Sequence, residues 1–334
     1  MGEQRFARHE LIPGWDQRTL ASASVVIVGV GALGTEVARL LAQAGVGRLT
    51  LCDPDIVEES NLSRGALFTP GDLGTSKATA AAAVLRAANP DVAVEARVAD
   101  LRHGVGLAEL RDADLVLSCL DSITDRIALA ARCALVAADV LDAGTTGWGG
   151  ELRYFPAGGA CYACGCTPAE RAVSDWHVAC ADPPAHQGAS APVSALIAAW
   201  QAVYAVRLLF GLPVAAGAIR VEPASGDSTA VVLPRDPDCP LHQTIDPARV
   251  ERTELTERST VAELLERIRP GEQALAWYPT TPGDPFSPLT LADAPAGARL
   301  RDLGIPHREI LPVVHPTGTV RYLELGGTTP DETP

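Results

Sequence analysis

Val25-Val26-Ile27-Val28, Gly29-Val-Gly31-Ala-Leu-Gly34 and the Ala/Leu-rich stretch to about Gln43 decide the fold of this chain. The apolar run reads as a strand, the glycines as a turn and the Ala/Leu pattern as a helix. Gly29 permits the tight turn, Gly31 lets backbone approach a phosphate, and Gly34 lets the helix pack close to the strand. The helix N-terminus then points free N–H groups at whatever anion sits there. A second strand, Arg48-Leu-Thr-Leu-Cys52, leads to Asp53, the acid that a dinucleotide-binding unit places about 20 residues on. Alone, this pattern points to an NAD(P)-binding enzyme.

The segment beyond Asp53 points elsewhere. Asp53-Pro-Asp55-Ile-Val-Glu-Glu-Ser-Asn61-Leu-Ser-Arg64 is polar where a nicotinamide enzyme usually begins its next helix. Lys77 then opens a helix that runs to about Ala88, ahead of Asn89-Pro90-Asp91. The run Ala113-Asp-Leu-Val-Leu-Ser-Cys-Leu-Asp121 sets an acid at the end of another buried strand. An Arg and a Lys to hold phosphates, and a strand-end carboxylate to hold magnesium, are what a triphosphate needs.

At this point the chain resembles a family. Arg5-Phe-Ala-Arg8-His, the GxGxxG turn, Asp53-x-Asp55, Asn61-Leu-x-Arg64, Lys77 and Asp121 come in the same order as in the ThiF/MoeB/HesA superfamily of ubiquitin-activating-enzyme-like adenylyltransferases. The resemblance runs from about residue 3 to residue 243. It implies ATP-dependent adenylation of a C-terminal carboxylate, usually on a small ubiquitin-like protein ending in Gly-Gly. In it, Gly29, Gly31, Gly34, Asp53, Asp55, Asn61, Arg64 and Lys77 bind the nucleotide, with Asp53 on the ribose hydroxyls. Asp121 holds Mg2+. Arg8 enters the neighbouring subunit's site as a finger on the phosphates, which implies a homodimer.

The family pattern also carries two Cys-x-x-Cys pairs around structural zinc. Here the first is Cys161-Tyr-Ala-Cys164 and the second is Cys239-Pro-Leu-His242. Three thiolates and one imidazole make an ordinary tetrahedral zinc set. Cys166 offers a second register for Cys164. Cys180 stands where sulfur- or thioester-forming members carry a reactive cysteine. The glycine such members place shortly after it arrives here only at Gly188, beyond Pro183-Pro184-Ala-His186-Gln. His177 and His186 are near enough in sequence to lower its pKa. Gly326-Gly327 reads as a plain glycine turn, since seven residues come after it.

Composition agrees. A chain of 334 residues with 47% hydrophobic residues buries a sizeable core. A net charge of −14 argues against nucleic acid or an anionic membrane as partner. The longest apolar run, around Ala191 to Phe210, is broken by Ser194, Gln201 and Arg207, so no membrane span is expected. The polar stretch Met1 to Glu10 carries no secretory signal, and eight cysteines without one read as metal or redox chemistry in a cytoplasmic protein.

Strands and helices alternate from residue 22 to about 145, which predicts a Rossmann-like, doubly wound, mainly parallel α/β sheet. The expected helices include Ser76–Ala88, Asp125–Ala138 and Pro192–Phe210; residues 160–190 are expected to be loop-like. The division expected is an adenylation domain over 1–243 and a small α+β appendage over 244–334. The appendage carries a helix at Thr260–Arg267 and strands at Ala274–Trp277, Glu309–Val314 and Val320–Leu325. The activity implied is adenylation of a sulfur carrier, priming it for sulfur transfer. Adenylation of a short peptide in natural-product biosynthesis, an NAD(P)-dependent oxidoreductase and a silent nucleotide-binding scaffold are the alternatives.

Overall fold

The computed structural model describes residues 5–167, 188–277 and 290–326. Strand β1 (Ser24–Val28) lies between β2 (Arg48–Cys52) and β4 (Leu115–Ser118) and runs parallel to both. β3 (Ala93–Arg97) and β5 (Val140–Thr146) extend the parallel array on either side. β6 (Gly149–Phe155), β7 (Gly217–Glu222) and β8 (Asp227–Val231) continue it antiparallel, in the order β3-β2-β1-β4-β5-β6-β7-β8. The fold is therefore the Rossmann-like, mainly parallel sheet that the alternation predicts.

Side chains of β1 alternate between two cores, as the period of two requires. Val25 and Ile27 face a cluster shared with α2 (Ala32–Ala44), α3 (Lys77–Ala88) and α7 (Ala191–Leu209). Val26 and Val28 face the opposite cluster, with α4 (Leu101–Gly104), α5 (Leu107–Asp112) and α6 (Ile123–Leu135). A strand buried on both faces explains why the decisive run is uninterrupted hydrophobic. Each such Val or Ile contributes about 1.5–3 kcal/mol of burial. The short α1 (Gln17–Ser22) precedes β1 and is capped by the Asp16 carboxylate.

The chain leaves β1 outward through β2 and β3, then returns to β4 on its other side. That reversal opens a crevice at the C-terminal ends of β1 and β4, where doubly wound sheets bind ligands.

Residues 250–326 build a second sheet, β10-β11-β12-β9, from β9 (Val250–Arg252), β10 (Gln273–Ala274), β11 (Ile310–Val314) and β12 (Val320–Glu324). With α8 (Val261–Leu265) it encloses its own small core around Leu264, Leu311 and Leu323. Ile245 and Ile310 also enter the same cluster as Leu107, Leu110 and Leu129 on α5 and α6. At the junction Ala108 N–H donates to Arg308 O at 3.1 Å and Ile245 N–H to Leu135 O at 2.7 Å. A Cβ on Gly106 would lie 2.0 Å from His307 O, so that contact requires glycine.

Several boundaries differ from expectation. α6 stops at Leu135 because Ala137 takes the left-handed conformation (φ 55°), and Ala138 N–H turns back to Cys133 O. A glycine normally marks that stop, and alanine gives no signal. The closing strand that the sequence pattern places at Ala230–Leu233 is β8, which begins directly after the turn at Pro223–Gly226, at Asp227, and ends at Val231. β10 covers only Gln273–Ala274, while β9, which no pattern in the sequence announces, pairs in parallel with β12.

Among the described residues α7 is long and apolar enough to cross a membrane by length and composition. It lies instead against α2, with Ile197, Ala198 and Ala205 fully buried in the core.

Candidate nucleotide site and metal centre

The glycine turn and the end of β4 meet in the crevice. Gly29 has φ +89°, and a Cβ there would stand 2.6 Å from Cys119 O. Gly34 would strike Gly29 O at 1.9 Å, which accounts for the third glycine. Around Gly31 no atom lies within 4 Å of a Cβ position. Gly31 is also the N-cap of α2, with no side chain capping it. The first-turn N–H groups thus have no side-chain cap, the arrangement an anion uses.

Asp53, at the end of β2, is buried and braces the turn. Its Oδ2 accepts from Val30 N–H at 2.6 Å and its Oδ1 from Asp55 N–H at 2.9 Å. Burial pushes its carboxyl up, and those two amides and nearby Lys77 pull it down. Asp55 in turn accepts from Lys77 Nζ at 2.8 Å, and its carbonyl oxygen accepts from Lys77 N–H at 2.9 Å. One hydrogen-bonded line therefore joins the glycine turn, β2 and the first residue of α3.

Asn61 and Arg64 occupy a 3-10 turn, Glu59–Ser63, and its cap. Asn61 Oδ1 accepts from Glu58 N–H at 2.9 Å, and Arg64 Nη1 donates to Ser60 O at 2.6 Å. Arg64, Ala32, Glu36, Ala66, Ala191 and Ala195 line a cavity of about 160 Å³ beside the start of α2.

Asp121 comes directly after Cys119 and Leu120, the residues against which Gly29 packs. It does not cap α6: Ser122 does, its Oγ accepting from Asp125 N–H at 3.0 Å. Asp121 is exposed, and among the described residues it has no hydrogen-bond or ion-pair partner. A free carboxylate one residue from the backbone that Gly29 approaches suits a hard cation with oxygen ligands.

Sequence reasoning missed the side chains behind Asp121. Gln201, fully buried on α7, donates from Nε2 to Leu141 O at 2.9 Å and Ser118 O at 3.3 Å. It ties α7 to the end of β4 and the start of β5. Asp142, also buried, accepts from Ser118 Oγ at 2.6 Å, Arg126 Nη1 at 2.5 Å and Arg153 Nη1 at 2.8 Å. The signal available was a charged residue inside an apolar strand and an Arg on the inner face of α6.

Arg8 lies far from this crevice in its own chain. Arg5 donates to Ala88 O at the last residue of α3, and the Phe6 ring abuts Gly45, the C-cap of α2. Both helices begin at the site and end here, a span of roughly 20 Å for helices of this length. Arg8 itself is exposed. Cys180, with His177 and His186, lies outside the described residues. The thiols of Cys119 and Cys133 are pushed up to about 12 by burial, which makes them poor nucleophiles.

The second cluster brings Cys161, Cys164, Cys239 and His242 together, all four donor atoms within 4.8 Å of one another. Cys161 Sγ lies 3.8 Å from both Cys164 Sγ and Cys239 Sγ, and Cys164 Sγ lies 3.2 Å from His242 Nε2. A tetrahedron of Zn–S bonds of about 2.3 Å has edges of about 3.8 Å. The donor set and its spacing therefore fit zinc. Cys166 Sγ donates to Tyr162 O at 3.5 Å and is not one of the four grouped donors.

Glycine turn, acidic strand ends and a Cys/His knuckle with the donor set of a metal site come together on one doubly wound α/β sheet. A sequence profile of the ThiF family matches residues 4–241, and the chain belongs to that family. It is 32% identical over 228 residues to the sulfur carrier protein ThiS adenylyltransferase of Escherichia coli (strain K12), covering 67% of this chain and 88% of that protein. It is 30% identical over 242 residues to the molybdopterin-synthase adenylyltransferase of the same strain, covering 70% and 94%. To the adenylyltransferase and sulfurtransferase MOCS3 of Mus musculus it is 38% identical over 164 residues. That match covers 48% of this chain but only 36% of the mouse protein, so about a third of that relative's length is represented. Among solved structures, the microcin C7 biosynthetic enzyme MccB in complex with N-formylated MccA shares the fold, with a TM-score of 0.60, 22% identity, and coverage of 72% and 75%.

Proposed function

We propose that the chain is an ATP-dependent adenylyltransferase that activates the C-terminal glycine carboxylate of a small ubiquitin-like sulfur-carrier protein ending in Gly-Gly. It acts as a homodimer in the cytoplasm. The observation that supports this reading is the close approach of Gly29 to the Cys119–Leu120 backbone, which brings the peptide before Asp121 up to the glycine turn that leads into α2.

In this reading the carrier carboxylate attacks the α-phosphate of ATP, pyrophosphate leaves, and an acyl-adenylate forms. A carboxylate is already ionised at neutral pH, so no general base is required; the rate comes from positioning and electrostatics. The α2 N-terminus, Arg64, Asn61 and Lys77 receive the phosphates, and Asp53 and Asp55 the ribose side. Asp121 would hold Mg2+, which neutralises charge that builds on the leaving oxygens. Arg8 reaches the partner's phosphates. Zinc at Cys161, Cys164, Cys239 and His242 is structural. Residues 1–243 form the adenylation unit, and 244–334 a module attached to it.

Pyrophosphate–ATP exchange against a panel of Gly-Gly-ending carriers and short peptides tests the reading. Exchange only with carriers supports it; thermal stabilisation by NAD and none by MgATP would overturn it. The second reading, adenylation of a short peptide, is favoured by the Pro183-Pro184 stretch that separates Cys180 from Gly188. With sulfur transfer, Cys180→Ala keeps exchange and loses overall transfer, and quenched enzyme carries a reducible adduct on Cys180. With peptide adenylation, neither assay changes.

A further inference from the structure

The turn that presents Asp121 is pinned on both sides, and the residue behind it has been given no role. Arg126, on the first turns of α6, is 9% exposed. Its Nη2 donates to Leu120 O, the carbonyl of the peptide that enters Asp121, and to Ala143 O at 3.2 Å. Its Nη1 is fixed by Asp142. Asp125, one residue earlier, bonds Ser122 Oγ at 2.7 Å and Arg102 Nη1 at 3.0 Å, which holds the other side of the turn.

The guanidinium is also held from behind. Its Cζ lies 5.8 Å from the centroid of the Tyr162 ring, and that of Arg153 lies 5.3 Å from it, so two cations share one ring. Tyr162 is the second residue of the Cys161–Cys164 knuckle. Opposite, Gly144 leaves room: a Cβ there would stand 3.0 Å from Arg126 Nη2. The Leu120–Asp121 turn, β5 and the cysteine knuckle thus converge on one buried side chain of α6.

We infer that Arg126 is a positioning residue that fixes the Leu120–Asp121 peptide, and so sets the affinity of the Asp121 carboxylate for Mg2+. This rests on the adenylation reading and goes beyond it. Outer-shell partners of a metal ligand set its orientation, and their loss costs ten- to a hundredfold in metal affinity as an order of magnitude.

The test is the Mg2+ dependence of ATP binding, read by calorimetry, and of pyrophosphate–ATP exchange, both in the full chain. Asp121→Asn, Arg126→Met and Gly144→Ala are run beside the wild type, with circular dichroism and metal content recorded for each. Arg126→Met is expected to raise the half-saturating Mg2+ concentration by about tenfold. Gly144→Ala keeps every charge and displaces the guanidinium by only a few tenths of an ångström, and is expected to shift it in the same direction by less. If Arg126→Met does not fold, Gly144→Ala decides. A half-saturating Mg2+ concentration unchanged in the folded variants overturns the inference while Asp121→Asn still abolishes exchange. Wild type without Mg2+-dependent exchange on any carrier or peptide overturns the adenylation reading itself.

Discussion

Arg132 and Glu309 form an ion pair of 2.6 Å in which both side chains are 2% exposed or less, joining α6 to the C-terminal sheet. Arg132 Nη2 also donates to Val105 O at 2.8 Å, and Glu309 Oε1 accepts from Ile310 N–H at 2.9 Å. Burial pushes the Glu309 carboxyl up, and Arg132 opposes that push.

The pair gives the first prediction. Glu309→Leu leaves a buried guanidinium without its counter-charge and is expected to cost about 3–5 kcal/mol. The double variant Arg132→Met/Glu309→Leu removes both charges and is expected to recover most of that loss. Urea unfolding measures both. An unchanged midpoint in the single variant would remove the pair from the stability of this junction.

Arg8 supplies the second. Because it lies at the far end of the sheet from its own crevice, Arg8→Ala and Asp121→Asn are each expected to be inactive alone. Mixed with subunit exchange, they regain one complete site per heterodimer, about a quarter of wild-type activity by random pairing. No recovery in a mixture whose exchange is proven would place Arg8 outside the reaction.

Zinc is the third. Protein purified without chelator is expected to carry one ion per chain, and Cys239→Ser to lose it and to unfold at lower temperature. Cys166→Ser, which alters a thiol outside the four grouped donors, is expected to keep the metal. Full zinc occupancy in Cys239→Ser, or its loss in Cys166→Ser, contradicts the donor assignment.

The fourth concerns acid. Hydrogen bonds from Arg321 hold the Glu272 carboxyl at about 2, against an ordinary 4.5. A depressed carboxylate stabilises fully above its unfolded value and loses that contribution as pH falls through the folded one. Wild type should therefore exceed Glu272→Gln in thermal stability at neutral pH. The gap should close between pH 4.5 and 2. A gap that does not vary with pH would mean the pair acts by packing instead.

Much of the fold was written locally. The unbroken Val25–Val28 run, three spaced glycines and capping serines at 76 and 122 each specify their element within a few residues of chain. The knuckle was legible for the same reason, since x₂ spacing fixes each half. What was not legible depends on distant partners. Asp142, Arg126 and Gln201 make sense only once β5, α6 and α7 are side by side. β9 is three residues long and exists because β12 offers it an edge. α6 stops at Leu135, ahead of Ala137, an alanine whose left-handed turn no local rule announces.

The shared core at α5 and α6 sets an order of assembly. Arg111 pairs with Glu324 across 213 positions, and Leu107 N–H bonds the Glu309 carboxylate across 202. Chains lengthen from the N-terminus, and contacts at such separation close last. The crevice-forming strands β1, β2 and β4 can therefore pair early on the ribosome, while the part of the α5–α6 cluster that Ile245 and Ile310 complete waits for the final strands to emerge. A nascent chain stalled before β11 would leave that cluster without Ile310 and Arg132 without Glu309, and so is the form that chaperones should bind.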